Sequence, residues 1–210
     1  MAISFDIGAS LANSGSIDAT GADLLFPVST SVVNDGEIIA ASVVNDGRFS
    51  GSGRISGDFT NHSLFAPGSS PGAMIIEGDY DEWWTLNILL GGTDDSIPEY
   101  SYVDVHGDVI LEALSVLEPE FYGGFDEGDL SYGDAFDVIR YTGSLSGVFD
   151  GIDAANALLT GGSWSIDYGY DLGGEVNSVR LTYVPEPSTV LLVGFGLIAM
   201  AAAGRGRARR

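Results

Sequence analysis

Cysteine is missing from all 210 residues, and so is lysine. The first absence excludes disulfides, thiolate metal sites and a cysteine nucleophile, leaving packing and backbone hydrogen bonds to hold the fold. The second leaves eight arginines to face 30 acidic residues. Residues 1–184 carry 29 of those acids and only Arg48, Arg54, Arg140 and Arg180, a net charge near −25. Nucleic acid and anionic membrane surfaces repel such a body, which excludes nucleic acid as a partner. A soluble amphipathic helix is also missing, because no stretch of this part repeats apolar residues at helical spacing. Met1-Ala2-Ile3-Ser4-Phe5-Asp6 offers neither a basic nor an apolar leader segment, so the natural start is expected upstream.

What is present is enough for a core. The chain is 45% hydrophobic and 10% aromatic, beyond what a disordered polyanion carries, and one folded domain is expected. Residues 13–66 are punctuated by Asn13-Ser14-Gly15, Asn34-Asp35-Gly36, Asn45-Asp46-Gly47 and Asn61-His62-Ser63, residue types that tolerate positive φ and so turn corners. Ser31-Val32-Val33-Asn34-Asp35-Gly36 returns 11 residues later as Ser42-Val43-Val44-Asn45-Asp46-Gly47. From Gly47 to Phe59 the large apolar residues Phe49, Ile55 and Phe59 keep odd positions, the parity of a strand with one face inward. Many short strands with Asn/Gly corners suit an all-β fold, either an antiparallel β-sandwich or a parallel β-solenoid whose coils stack about 4.8 Å apart.

A longer pattern runs from Asn45-Asp46-Gly47 through Gly51-Ser52-Gly53, Ala66-Pro67-Gly68-Ser69-Ser70-Pro71-Gly72 and Ile76-Glu77-Gly78-Asp79-Tyr80. It continues through Leu86 to Gly92, Tyr100 to Val105, Phe136 to Ile139, Trp164 to Tyr168 and Val179 to Thr182. It resembles the C-terminal part of autotransporter-type β-helix passengers. The resemblance implies a right-handed parallel β-solenoid over residues 1–117, closed by a β-rich C-terminal cap over 118–183, with no shared chemistry. The β-barrel translocator that follows such passengers is replaced here by a different segment, residues 184–210.

That segment has three parts. Pro185-Glu186-Pro187 comes first, and its prolines hold the chain extended so that Glu186 sits on an exposed stalk. Residues 188–204 carry no charge and no polar face, a single C-terminal transmembrane helix slightly short for a bilayer. Arg205, Arg207, Arg209 and Arg210 follow as a cytoplasmic anchor, and by the positive-inside rule residues 1–184 lie outside. The three parts in this order resemble the PEP-CTERM sorting signal of Gram-negative bacteria. That resemblance implies cleavage near Pro185-Glu186-Pro187 by a membrane transpeptidase, an exosortase, with transient inner-membrane anchoring and then release or attachment at the cell surface. It also implies association with exopolysaccharide, in a biofilm or floc.

No residue constellation stands out as catalytic. Acids cluster at Asp79-Asp81-Glu82, Asp94-Asp95, Glu118-Glu120 and Asp126-Glu127-Asp129, and solvated loop charge explains them. A carboxylate pair acting on a polysaccharide is the enzymatic alternative. No calcium-loop spacing is present, so no cofactor or ordered metal site is expected beyond weak Ca2+ crosslinking of the acidic surface. His62 and His106 are expected as exposed corner residues outside any hydrolase motif. Trp83-Trp84 reads as core packing or as a sugar-stacking platform for a glycan-binding adhesin. The function expected is therefore a non-enzymatic surface or matrix protein.

Overall fold

A computed structural model describes residues 1–68, 70–94 and 99–186, and they form an all-β protein with no α-helix among them. The strands fall into two sheets, of twelve and seven strands. Within them every pairing of strands is parallel except the two made by Val176–Pro185. The expected transmembrane helix, Pro187 and the four terminal arginines lie outside the described residues.

The chain visits three ladders in a fixed order. The seven-stranded sheet is one ladder, with Ser10–Asn13, Ser31–Asn34, Arg48–Gly51, Leu64–Pro67, Thr85–Leu90, Val116–Phe121 and Gly151–Ile152 stacked in sequence order. The longer sheet holds the other two. Ser16–Phe26 and Glu37–Asn45 each bend midway, and the register shifts between Ala19 and Asp23 and between Ile39 and Ser42 mark the bends. The first halves continue as Ala73–Ile76 and Tyr102–Val105, and the second halves as Tyr80–Glu82, Val109–Leu111 and Leu145–Gly147. In Arg54–Asn61 the bend falls at Gly57, whose φ is +150° and where a Cβ would collide with the Ala40 carbonyl oxygen.

These pairings separate two features that the sequence ran together. The 11-residue repeat is no stacking period: Ser31–Asn34 lies in one sheet and the second half of Glu37–Asn45 in the other. It relates two successive corners of one circuit, which need the same turn chemistry. Stacked corners are instead 16 or 21 residues apart, as in Asn13 to Asn34, Asn45 to Asn61 and Asn61 to Glu82. Later circuits lengthen to 29 and 36 residues, as contacts of His106 with Glu77 and Thr142 show.

The parity expected from Gly47 to Phe59 points inward. Phe49, Ile55 and Phe59 have no exposed surface. Phe26, Phe49, Phe59, Phe65 and Tyr80 form a continuous aromatic core with ring centroids 4.9 to 5.9 Å apart along the chain of contacts. Edge and offset contacts of this kind add about 0.5–1.5 kcal/mol per pair to the area buried.

At the C-terminal end two antiparallel strands, Gly162–Gly173 and Val176–Pro185, join Ala135–Tyr141. Asp137, 5% exposed, is held there by Arg180 Nε at 2.7 Å, Arg180 Nη2 at 2.8 Å and Ser178 Oγ at 2.6 Å. Burial pushes this carboxyl up, but the donors from Arg180 and Ser178 outweigh it and keep the pKa below the usual range. Ser178→Ala removes one of three donors to a buried carboxylate, and chemical denaturation is expected to show a loss of about 1.5–2 kcal/mol.

Candidate functional site

Two corners carry stacked polar columns, one of two rungs and one of three. In the first, Asn13 Nδ2 donates to Asn34 Oδ1 at 2.8 Å. In the second, Asn45 Nδ2 donates to Asn61 Oδ1 at 2.7 Å, and Asn61 Nδ2 to Glu82 Oε1 at 2.7 Å. Asn13, Asn45 and Asn61 also accept from the backbone N–H two residues on, as Gly47 N to Asn45 Oδ1 at 3.1 Å shows, so these rungs close their own turns and bind the next. Glu82 replaces Asn as the last rung and takes the Trp84 N–H at 2.9 Å and the Tyr80 hydroxyl. Asn45, Asn61 and Glu82 have no exposed surface, and none of these partners is a cation. Burial pushes the Glu82 pKa from 4.5 up to about 7, against the donors from Tyr80, Asn61 and Trp84 and with help from the Asp81 charge.

Most of the acid clusters have structural employment that sequence spacing hid. Asp58 Oδ1 accepts from Asp79 N at 3.0 Å, Asp79 Oδ1 from Asp108 N at 2.8 Å and Asp108 Oδ1 from Ser144 N at 2.6 Å. Each carboxylate thus caps the corner of the following circuit. Asp126 caps the 3₁₀ turn Glu127–Asp129 through Gly128 N at 2.6 Å. Asp95 lies outside the described residues. His62 and His106 are exposed as expected, and each meets a carboxylate of a neighbouring circuit, Asp46 at 2.8 Å and Glu77 at 2.7 Å. Glu77 also pairs with Arg54. Among the described residues no group of three His, Cys, Asp or Glu side chains is placed to hold a metal ion.

Trp83 and Trp84 are not core residues. They are 42% and 54% exposed and project from the corner that ends the second column. Trp83 stands edge-on to His62, the ring centroids 5.5 Å apart. Trp84 lines a groove of about 300 Å³ with Leu114, Val116, Glu118, Asp150 and Asp153, contributed by three successive circuits. Asp79, Asp81 and Glu82, the acids that precede the tryptophans in sequence, do not line this groove. Glu118 is held above its ordinary pKa by burial and by the Asp153 charge, and accepts from Asn156 Nδ2 at 3.0 Å. A second groove of about 300 Å³ on the same outer sheet face is floored by Ser50, Ala66 and Gly68 and bounded by Arg48, Glu120 and Tyr122. Together they present a half-exposed indole, a tyrosine and a row of carboxylate acceptors with Arg48 as their one lining cation.

The sorting segment begins where the fold ends. Val184 and Pro185 belong to the strand Val176–Pro185, paired with Ser163 and Gly162, and Glu186 is exposed. The expected stalk therefore starts one residue later than the prolines suggested, because a proline at the last position of a strand breaks no further ladder bond. Residues 184–210 match the PEP-CTERM protein-sorting motif. The motif is the substrate signal of an exosortase, so the chain is an exported protein processed at the membrane. No curated protein matches it.

Proposed function

We propose that the chain is a non-enzymatic, acidic surface or matrix protein of a Gram-negative bacterium, delivered by its PEP-CTERM tail and associated with exopolysaccharide in a biofilm or floc. Its exported part winds as a right-handed parallel β-solenoid over residues 1–117 with a β-rich cap over 118–183, and residues 188–204 anchor it in the inner membrane until cleavage. The observation that carries the delivery is the match of residues 184–210, which begins at the last two residues of a folded strand. The winding is supported by the fixed order in which the chain returns to its three parallel ladders. The non-enzymatic reading is supported by the acids themselves, because Asp58, Asp79, Asp108 and Asp126 each cap a backbone N–H. Weak Ca2+ association belongs to the remaining surface charge.

A glycan-binding role is favoured by the Trp84 groove. An indole face stacks on a sugar ring, and Glu118, Asp150 and Asp153 accept its hydroxyls. The acidity disfavours uronate or sulfate polymers and points to an uncharged glycan. Purified protein is expected to bind immobilised neutral glucans or mannans and not alginate, and Trp84→Ala to weaken binding at least tenfold, about 1.4 kcal/mol. Neutral-glycan binding that survives this substitution would remove the groove from the reading. New reducing or unsaturated ends after incubation, lost in Glu118→Gln, would replace it with the enzymatic alternative.

A further inference from the structure

The strand that delivers the sorting motif is locked on both edges just before it. Tyr183 N donates to Asp134 O and Gly133 N to Tyr183 O, both at 2.9 Å, on one side. On the other, Gly162 to Ser165 pair with Pro185 to Thr182. The Tyr183 ring is 5% exposed, stacked on Tyr132 at 5.1 Å and packed beside Trp164 at 6.0 Å. Glu127 ties these segments together. Its carboxylate accepts from Thr160 N at 2.8 Å, Thr160 Oγ1 at 2.7 Å, Gly161 N at 2.7 Å and the Tyr183 hydroxyl at 3.2 Å. Tyr132 closes the cycle by donating to Gly161 O at 2.9 Å. Gly162 is needed at the crossing, because a Cβ there would strike the Tyr183 ring and lie 2.6 Å from Val184 O.

We propose that this Glu127-centred latch gates processing of the sorting motif. An enzyme that cuts a peptide holds it as a single extended strand and hydrogen-bonds its free edges. While the latch is closed Tyr183 is flanked on both edges and Val184 and Pro185 are paired with Ser163 and Gly162, so the substrate of the processing enzyme is the locally opened form. The consequence is a quality check: a domain whose C-terminal strands are correctly paired releases its motif slowly, and one with an open end releases it fast. This rests on the reading of residues 184–210 as an exosortase substrate.

The test uses the full chain, membrane-inserted in cells that carry the processing enzyme. Three forms are compared: wild type, Glu127→Ala, and a variant with four Gly/Ser residues inserted between Val184 and Pro185. Amide hydrogen exchange of residues 182–184 is expected to be slow in wild type and at least tenfold faster in Glu127→Ala, while the amides of Phe49 and Phe59 stay protected in both. Shortening of the chain is expected to accelerate several-fold in Glu127→Ala and in the insertion variant, which frees the motif without touching the latch. Equal shortening rates in all three forms, or fast exchange of residues 182–184 in wild type, would overturn the latch and leave the sorting reading intact. No shortening in any form, including the insertion variant, would remove the sorting reading and the latch with it.

Discussion

Asn61→Leu is expected to destabilise the domain by on the order of 3–5 kcal/mol, because it leaves two or three buried polar groups unpaired at about 1–3 kcal/mol each. Asn61 sits between Asn45 and Glu82 with no exposed surface, and it also donates to Ser63 O at 2.9 Å. Leucine fills a similar volume, so the loss measures the column and not a cavity. Asn87→Ala is the control. Asn87 lies on the outer sheet face, and its contacts to Glu118 O and Glu120 Oε2 are long, 3.4 and 3.3 Å. Its removal is expected to cost less than about 1 kcal/mol in the same urea titration. Equal losses at the two positions would mean that the column adds nothing beyond ordinary strand packing.

Glu82 makes the stability of the same corner depend on pH. The folded protein holds a proton on Glu82 up to about pH 7, whereas the unfolded chain releases it near 4.5. Below 4.5 both states are protonated and the stabilising contribution is complete; between 4.5 and 7 it falls as pH rises; above 7 it is gone. The displacement corresponds to on the order of 3 kcal/mol. Glu82→Gln carries no titrating proton and keeps an oxygen for Asn61 Nδ2 and Trp84 N–H. Relative to wild type it is therefore expected to gain a few kcal/mol between pH 4.5 and pH 8, read as the difference between two denaturation midpoints at each pH. Repulsion among the many surface acids also grows over this window, but it acts on both proteins and cancels. Parallel pH profiles would mean that Glu82 is ionised when folded.

How much of this was legible depends on the range of the interaction. Asn45-Asp46-Gly47 and Asn61-His62-Ser63 were readable as corners because Asn side chains close turns within two residues, as Gly47 N to Asn45 Oδ1 does. Their stacking was not readable, since it depends on the register of Glu37–Asn45 against Arg54–Asn61, and the one visible repeat, at 11 residues, follows a different geometry. Glu82-Trp83-Trp84 was harder still. It occupies the same rung as the two Asn corners with none of their residues, and only the apolar residue two places before it, Tyr80 where the others have Val43 and Phe59, keeps the pattern. Spacing alone makes the acids look like loop charge, yet Asp79 and Asp108 hold corners 29 and 36 residues further along.

The sequence by itself determined the class of the fold and the address of the protein. Both are local: alternation within a strand decides which side chains face inward, and the sorting motif is read as a continuous stretch of chain. The tertiary structure alone decided what stands beside what. It put Glu82 at the end of a buried amide column, Trp84 beside Asp150 and Asp153, and Glu127 across the strand that leads into Pro185. The physical reason is register. A slip of one residue in a parallel ladder turns every side chain to the opposite face. The pairing that fixes register is set by the packing of Phe26, Phe49, Phe59, Phe65 and Tyr80 across circuits, which no single stretch of sequence contains.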